Sequence, residues 1–245
     1  MTDASDLMRL YLAEPDQPFP SLELADPSGL VAFGGDLSAQ RLLAAYSAGI
    51  FPWYNPGEMI HWYSPDPRSI LLPTALRVTK SHRRAVAIAD YAVTMDRAFA
   101  EVMAHCAGPR AKEEGTWIGD DMRAAYLRLH RLGHAHSVEV WRDGELVGGL
   151  YGVALGRSFA GESMFSRARD TSKIALYWLC TQLADWDFAL IDCQMTTDHL
   201  ASLGAVDVPR AEYLRLHGAA AARPGIVGPW QFEIPVPNSP GHSPD

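Results

Sequence analysis

The sequence predicts an α+β fold: a mixed, mostly antiparallel sheet flanked by helices, with a small N-terminal domain ahead of it. Three observations support this. The 245 residues are 48% apolar and 20% charged, an ordinary globular balance that can fill a hydrophobic core. From residue 90 onward, segments with strand period and helix period follow one another in a definite order. Before that, residues 51–68 (FPWYNPGEMIHWYSPDPR) break the patterning with prolines and aromatics, which places a boundary there.

The elements are read in turn. Residues 1–20 look extended. Ser38 suits a helix N-cap, with Leu42, Leu43, Tyr46 and Ile50 following on one face. Residues 51–68 read as an irregular linker with rigid turns. Residues 91–95 form a short strand, and Asp96 can cap a helix running to Cys106. Asp120 can cap another, whose apolar face is Met122, Ala125, Tyr126, Leu129 and Leu132 and whose end is Gly133. Asp143-Gly144 joins strands 137–142 and 145–154 in a hairpin. Strand 157–163, helix 171–184, strand 188–193 and a short helix at 198–203 come next, and 209–222 makes a last helix. The order strand, helix, helix, three antiparallel strands, helix, strand, helix is that of the N-acetyltransferase-like (GNAT-like) superfold. The expected division is 1–66 as the small N-terminal domain, 67–223 as the catalytic domain, and 224–245 as a loosely held Pro-rich tail.

Composition excludes several classes. The first twenty residues carry four acidic side chains and no long apolar stretch, so no signal peptide is expected. No apolar run is long enough to span a membrane, and none is expected as a partner. Cys106, Cys180 and Cys193 are odd in number and widely spaced, which favours a reducing, cytoplasmic setting over disulfides or zinc. His134 and His136 lack a third ligand nearby, so no metal is expected. The net charge of −8 argues against a general nucleic-acid coat. Local basic clusters remain: Lys80, His82, Arg83 and Arg84, and the helical series Arg123, Arg128 and Arg131. Each alone fits a solvated helix face; together they could meet a few phosphates of a folded RNA.

An acyl-CoA enzyme of this superfold needs a glycine-bearing loop to cradle pyrophosphate at a helix N-terminus. Here that loop is residues 165–173 (FSRARDTSK), without glycine. Acyl-CoA is therefore the second-ranked donor. Residues 161–165 (GESMF) lack the G-x-S-x-G spacing of a nucleophile elbow. Cys193 on its strand is expected to face the core.

At this point a set of blocks resembles one family, the bacterial leucyl/phenylalanyl-tRNA–protein transferases. They are residues 32–38 (AFGGDLS), 49–54 (GIFPWY), 62–68 (WYSPDPR), 113–118 (EEGTWI), 133–141 (GHAHSVEVW), 144–167 (GELVGGLYGVALGRSFAGESMFSR), 172–176 (SKIAL), 190–194 (LIDCQ) and 198–205 (DHLASLGA). The blocks stand in order over residues 20–215, and the ordered set is specific where any one is weak. The resemblance implies transfer of Leu, Phe or Met from aminoacyl-tRNA to proteins with N-terminal Arg or Lys, marking them for degradation. It implies no metal and no organic cofactor.

The resemblance also assigns residues. Glu162, Asp192 and Gln194 would line the reaction centre. Asp192 and Gln194, two apart on a strand, are expected to share a face. The two carboxylates would bind the cationic acceptor, and Gln194 would be a neutral hydrogen-bonder near the amine. Without the resemblance, Asp192 would read as a salt-bridged structural residue. Trp53 and Trp117 would flank the terminal adenosine. Leu150, Phe159, Leu176, Leu179, Leu183 and Ile191 would wall the donor side chain, although periodicity alone assigns them to the core. Leu179 and Leu183 stand where phenylalanine is usual in the family, and Thr197 where asparagine is. Lys80, Arg83 and Arg84 would touch the acceptor stem.

Overall fold

The computed structural model describes residues 10–12, 14, 17–87, 90–108 and 118–236. Two sheets organise them. The first has four short strands: β1 (Tyr11–Leu12), β2 (Leu30–Gly34), β3 (Phe51–Pro52) and β4 (His61–Tyr63), in the order β1-β2-β4-β3. Helix α1 (Ala39–Ser47) leaves this sheet with Ser38 at its N-cap, where the hydroxyl accepts from the Arg41 N–H as expected. Residues 51–68 are not the linker that their prolines suggest. They carry β3 and β4, and buried Trp62 anchors them by donating its indole N–H to the Gly34 carbonyl at 2.9 Å.

The second sheet has seven strands. They are β5 (Arg68–Leu71), β6 (Ala92–Met95), β7 (Ala135–Arg142), β8 (Glu145–Leu155), β9 (Ser158–Ser166), β10 (Leu190–Gln194) and β11 (Val206–Val208). The order is β11-β5-β10-β9-β8-β7-β6. Strands β6 to β9 form an antiparallel meander; β10 then joins β9 in parallel. This is the mostly antiparallel arrangement that the element order predicts. Asp143 and Gly144 both take positive φ, 52° and 80°, in the two-residue turn between β7 and β8.

Side-chain alternation along β8 divides the core. Tyr151 and Val153 face a cluster shared with α1, α3 (Phe99–Ala107) and α4 (Asp120–Arg131). Leu150 and Ala154 face the other cluster, shared with the long helix α5 (Thr171–Asp185). Gly133 ends α4 at φ 78°, where a β-carbon would lie 2.2 Å from the Gly228 nitrogen. The remaining helices are α2 (Lys80–Val86), α6 (Asp198–Ser202) and α7 (Arg210–Ala221).

Three local expectations are corrected. Asp96 does not cap α3, whose N-cap is Ala98. Its carboxylate instead meets His136 Nδ1 at 2.8 Å and accepts the Ser137 N–H at 2.9 Å. The tail is not loose through residue 236: Trp230 and Val236 are buried against the α5 side of the sheet. Asp120 sits inside the first turn of α4, with Gly119 at the N-cap. Among the described residues, no helix is long and apolar enough to cross a membrane.

Candidate active site

Pairing between β9 and β10 stops at Ala160 and Asp192. Beyond that point the two strands part, and their next residues border a cavity of about 670 Å³. Its apolar floor comes from Leu71, Leu150, Phe159, Leu176, Leu179 and Ile191. The small sheet supplies the opposite side through Phe51, Pro52 and Trp53, and α6 with its approach supplies Thr197 and His199. A greasy slot thus opens directly onto the polar groups at the end of β9.

Glu162 is the centre of those groups. Its Oε1 accepts from the Tyr46 hydroxyl at 2.7 Å and from Gln194 Nε2 at 2.9 Å. Its Oε2 accepts from the Tyr126 hydroxyl at 3.0 Å, and the two phenols also touch each other. Burial pushes the Glu162 carboxyl up to about 7, against the lowering effect of the phenol and amide donors; the nearby Asp192 charge adds to the rise. The phenols are held far above their ordinary value by burial and by Glu162, so they stay protonated as donors.

Asp192 is built differently. Its Oδ1 and Oδ2 accept from Arg68 Nε at 2.8 Å and Nη2 at 2.6 Å, a bidentate pair with both side chains buried. The Tyr213 hydroxyl of α7 adds a bond to Oδ2 at 2.9 Å. The guanidinium lies 4.9 Å from the Phe51 ring centre and 4.5 Å from that of Tyr213. Burial opposes the charge on Asp192, but Arg68 and these hydrogen bonds outweigh it and hold the carboxyl below its usual range. The Gln194 N–H also donates to Asp192 Oδ1, at 2.9 Å. That local bond ends the strand in a bulge and sets Gln194 at φ 64°. The side chains of Asp192 and Gln194 consequently diverge, Asp192 toward α7 and Gln194 toward the cavity. This corrects the expectation of a shared face. It also removes Asp192 from direct contact with an acceptor cation, because Arg68 already occupies both oxygens.

The family model described as leucyl/phenylalanyl-tRNA protein transferase matches residues 70–218, and that of the family's N-terminal domain matches residues 35–66. The chain belongs to this family. Among curated relatives, the leucyl/phenylalanyl-tRNA–protein transferase of Nitrosomonas europaea is 54% identical over 91% of this chain and 95% of that one. The protein of the same name from Thiobacillus denitrificans is 55% identical over 88% and 95%. Among solved structures, a GCN5-related N-acetyltransferase from Kribbella flavida aligns with a TM-score of 0.34 at 12% identity, covering 69% of this chain and 59% of that one.

Measured against the transferase resemblance, five of the six expected pocket positions line the cavity. Leu183 does not; it is fully buried one turn further along α5, behind the floor. Trp53 stands at the mouth, 42% exposed, edge-on to Tyr63 at 5.7 Å. Trp117 lies outside the described residues. Lys80, Arg83 and Arg84 are exposed on α2, away from the cavity floor. His82 leaves that basic cluster: it is buried, with Nε2 3.0 Å from the Lys173 carbonyl, and so seats α2 on the start of α5. Arg128 is likewise tied down, donating to the Leu37 carbonyl at 3.1 Å. Cys193 borders the cavity, and burial keeps its thiol well above the ordinary range, hence protonated.

Sequence reasoning missed Tyr46, Tyr126 and Arg68. The two tyrosines read as core positions on amphipathic helices, and nothing in the spacing says that their hydroxyls converge. Arg68 follows a Pro-rich segment and precedes an apolar strand, so its buried partner was not visible. Among the described residues, no group of three His, Cys, Asp or Glu side chains could hold a metal ion.

Proposed function

We propose that this chain transfers leucine, phenylalanine or methionine from aminoacyl-tRNA to the α-amine of proteins that begin with Arg or Lys, tagging them for degradation in the cytoplasm. The observation that carries this reading is the junction of the apolar cavity with the Glu162–Gln194 cluster. The cavity takes the donor side chain. The donor ester then lies at the polar end, where the acceptor amine arrives.

The amine nitrogen attacks the ester carbonyl, the amide bond forms, and the ribose oxygen leaves and takes up a proton. A free α-amine has a pKa of about 7.7–8.0, so roughly a tenth is neutral at pH 7 and no strong base is required. Holding amine and ester together is worth about 7–11 kcal/mol, enough to make positioning the main contribution. Glu162, when ionised, attracts the cationic N-terminal residue, and the Gln194 amide orients the amine. Asp192 supports this from behind, by fixing the Gln194 backbone. Trp53 stacks on the terminal adenosine, with Trp117 as its expected partner. Lys80, Arg83 and Arg84 meet tRNA phosphates. The division into an N-terminal domain (1–66), a catalytic domain (67–223) and a tail (224–245) belongs to the same reading.

The test is transfer of radiolabelled leucine from Leu-tRNA to a protein starting with Arg, compared with the same protein starting with Ala. Labelling of the first alone is expected; equal labelling, or none, contradicts the reading. Trp53→Ala is expected to weaken aminoacyl-adenosine binding by about 1–3 kcal/mol, the usual worth of one base stacked on an aromatic ring. Unchanged affinity in a calorimetric titration would remove Trp53 from the adenosine site.

A further inference from the structure

The segment from 224 to 236 lies beyond the stretch that the family model matches, which ends at residue 218. It forms a strap across the back of the cavity. Four groups hold it down. The Trp230 N–H donates to Asp96 Oδ2 at 2.6 Å. The Glu233 N–H donates to the Gln182 side-chain oxygen at 2.8 Å, and the Trp186 indole donates to Glu233 Oε2 at 2.9 Å. The Gly228 N–H donates to the Gly133 carbonyl at 3.2 Å.

Trp230 is 3% exposed. Its indole lies flat on the His136 ring, with centroids 3.7 Å apart and planes 4° from parallel. Asp96 holds both partners of that stack, bonding His136 Nδ1 at 2.8 Å as well as the Trp230 backbone. The plane of the indole is therefore fixed from two sides.

The neighbour of that indole is the cavity wall. The Phe159 ring centre is 5.9 Å from Trp230, and Phe159 lines the cavity. On another side the ring lies against Gly152, where a β-carbon would come within 2.5 Å of Phe159 Cζ. Trp230 and Gly152 thus back the ring from two sides, and it also borders the cavity. A single aromatic ring that cannot retreat sets how deep a donor side chain reaches.

We propose that Trp230 is a positioning residue for donor choice: it holds the Phe159 ring forward and so sets the ratio in which leucyl and phenylalanyl donors are used. This rests on the transferase reading above. If the indole is cut back, Phe159 can retreat into the space left. The cavity deepens, leucine loses contacts and phenylalanine gains room.

The experiment measures kcat/KM for Leu-tRNA and for Phe-tRNA with one peptide starting with Arg, in wild type, Trp230→Leu and Trp230→Phe, with urea unfolding as the control. Trp230→Leu is expected to raise the Phe-to-Leu ratio about tenfold, the low end of what one methylene of pocket contact discriminates. Trp230→Phe, which keeps a narrower aromatic face, is expected to raise it less. Preference for Arg over Ala at the acceptor N-terminus stays unchanged in both. A folded Trp230→Leu protein with the wild-type ratio, or with both donors lowered equally, overturns the proposal and leaves the strap a purely structural element. If Trp230→Leu does not fold, an unchanged ratio in Trp230→Phe overturns it. Wild-type protein that transfers neither amino acid overturns the transferase reading, a different result from an unchanged ratio.

Discussion

Two carboxylates on neighbouring strands, Glu162 on β9 and Asp192 on β10, each accept a tyrosine hydroxyl, yet they are opposite devices. Asp192 faces a guanidinium that lies between two rings, and its charge is locked in. Glu162 has only neutral donors, two phenols and an amide, and borders the cavity. Burial disfavours the charge in both cases. A full opposite charge overcomes that cost at Asp192, whereas neutral hydrogen bonds do not at Glu162. The first site is therefore a fixed strut. The second can be charged or neutral near pH 7, which suits a group that meets a cationic ligand only when one arrives.

The difference predicts which substitution destroys the fold and which destroys the activity. Asp192→Asn leaves Arg68 buried without its counter-charge and should cost about 3–5 kcal/mol of stability. Urea unfolding at neutral pH measures this, and a loss below 1 kcal/mol would show that the pair is not the strut described. The linkage sign follows from the lowered carboxyl: the Asp192 contribution is present above its unfolded value of 3.8 and is lost as pH falls through the depressed native one.

Glu162→Gln should do the reverse. It removes a group whose raised native pKa makes its ionisation unfavourable to the fold, so stability at neutral pH should be kept or should rise. Wild-type stability from this group is present below its unfolded value of 4.5 and declines as pH rises through about 7. Activity toward an Arg-starting acceptor should instead fall about ten- to a hundredfold, the equivalent of one hydrogen bond to a charged group. Wild-type transfer rates in this variant would merge the two sites into one structural class.

The smallest effect sharpens the contrast further. Tyr126→Phe removes one of the donors that lower the Glu162 pKa. It should move the pH dependence of transfer upward by one unit or less, consistent with a net hydrogen-bond value of about 0.5–1.5 kcal/mol. A downward move would mean that the phenol does not stabilise the carboxylate.

Much of the fold was legible because its signals are local. Asp143-Gly144 dictates a two-residue turn, Ser38 caps its own helix, and the order of strands and helices follows from periodicity. The parts that were not legible depend on distant partners. The strands at 51–52 and 61–63 are too short to show a period and are fixed by Trp62 on Gly34. The tail reads as Pro-rich and loose, yet Trp230 seated on His136 and hydrogen bonds from its backbone, Glu233 and Gly228 hold it in place. In the site, the family resemblance pointed to Glu162 and Gln194. No spacing rule announces that Asp192 would bond the Gln194 N–H and turn the two side chains apart, or that Arg68, 124 positions earlier, would claim the Asp192 carboxylate.

The most direct test of this contrast is the pH dependence of kcat/KM for an Arg-starting peptide with an aminoacyl-adenosine donor, in wild type and in Glu162→Gln. Wild type should show two rising limbs, one near 7 from Glu162 and one at about 7.7–8.0 from the acceptor amine. The variant should keep only the second. Loss of neither limb, or persistence of the limb near 7 in Glu162→Gln, would contradict the assignment of Glu162 as the titrating group that receives the acceptor.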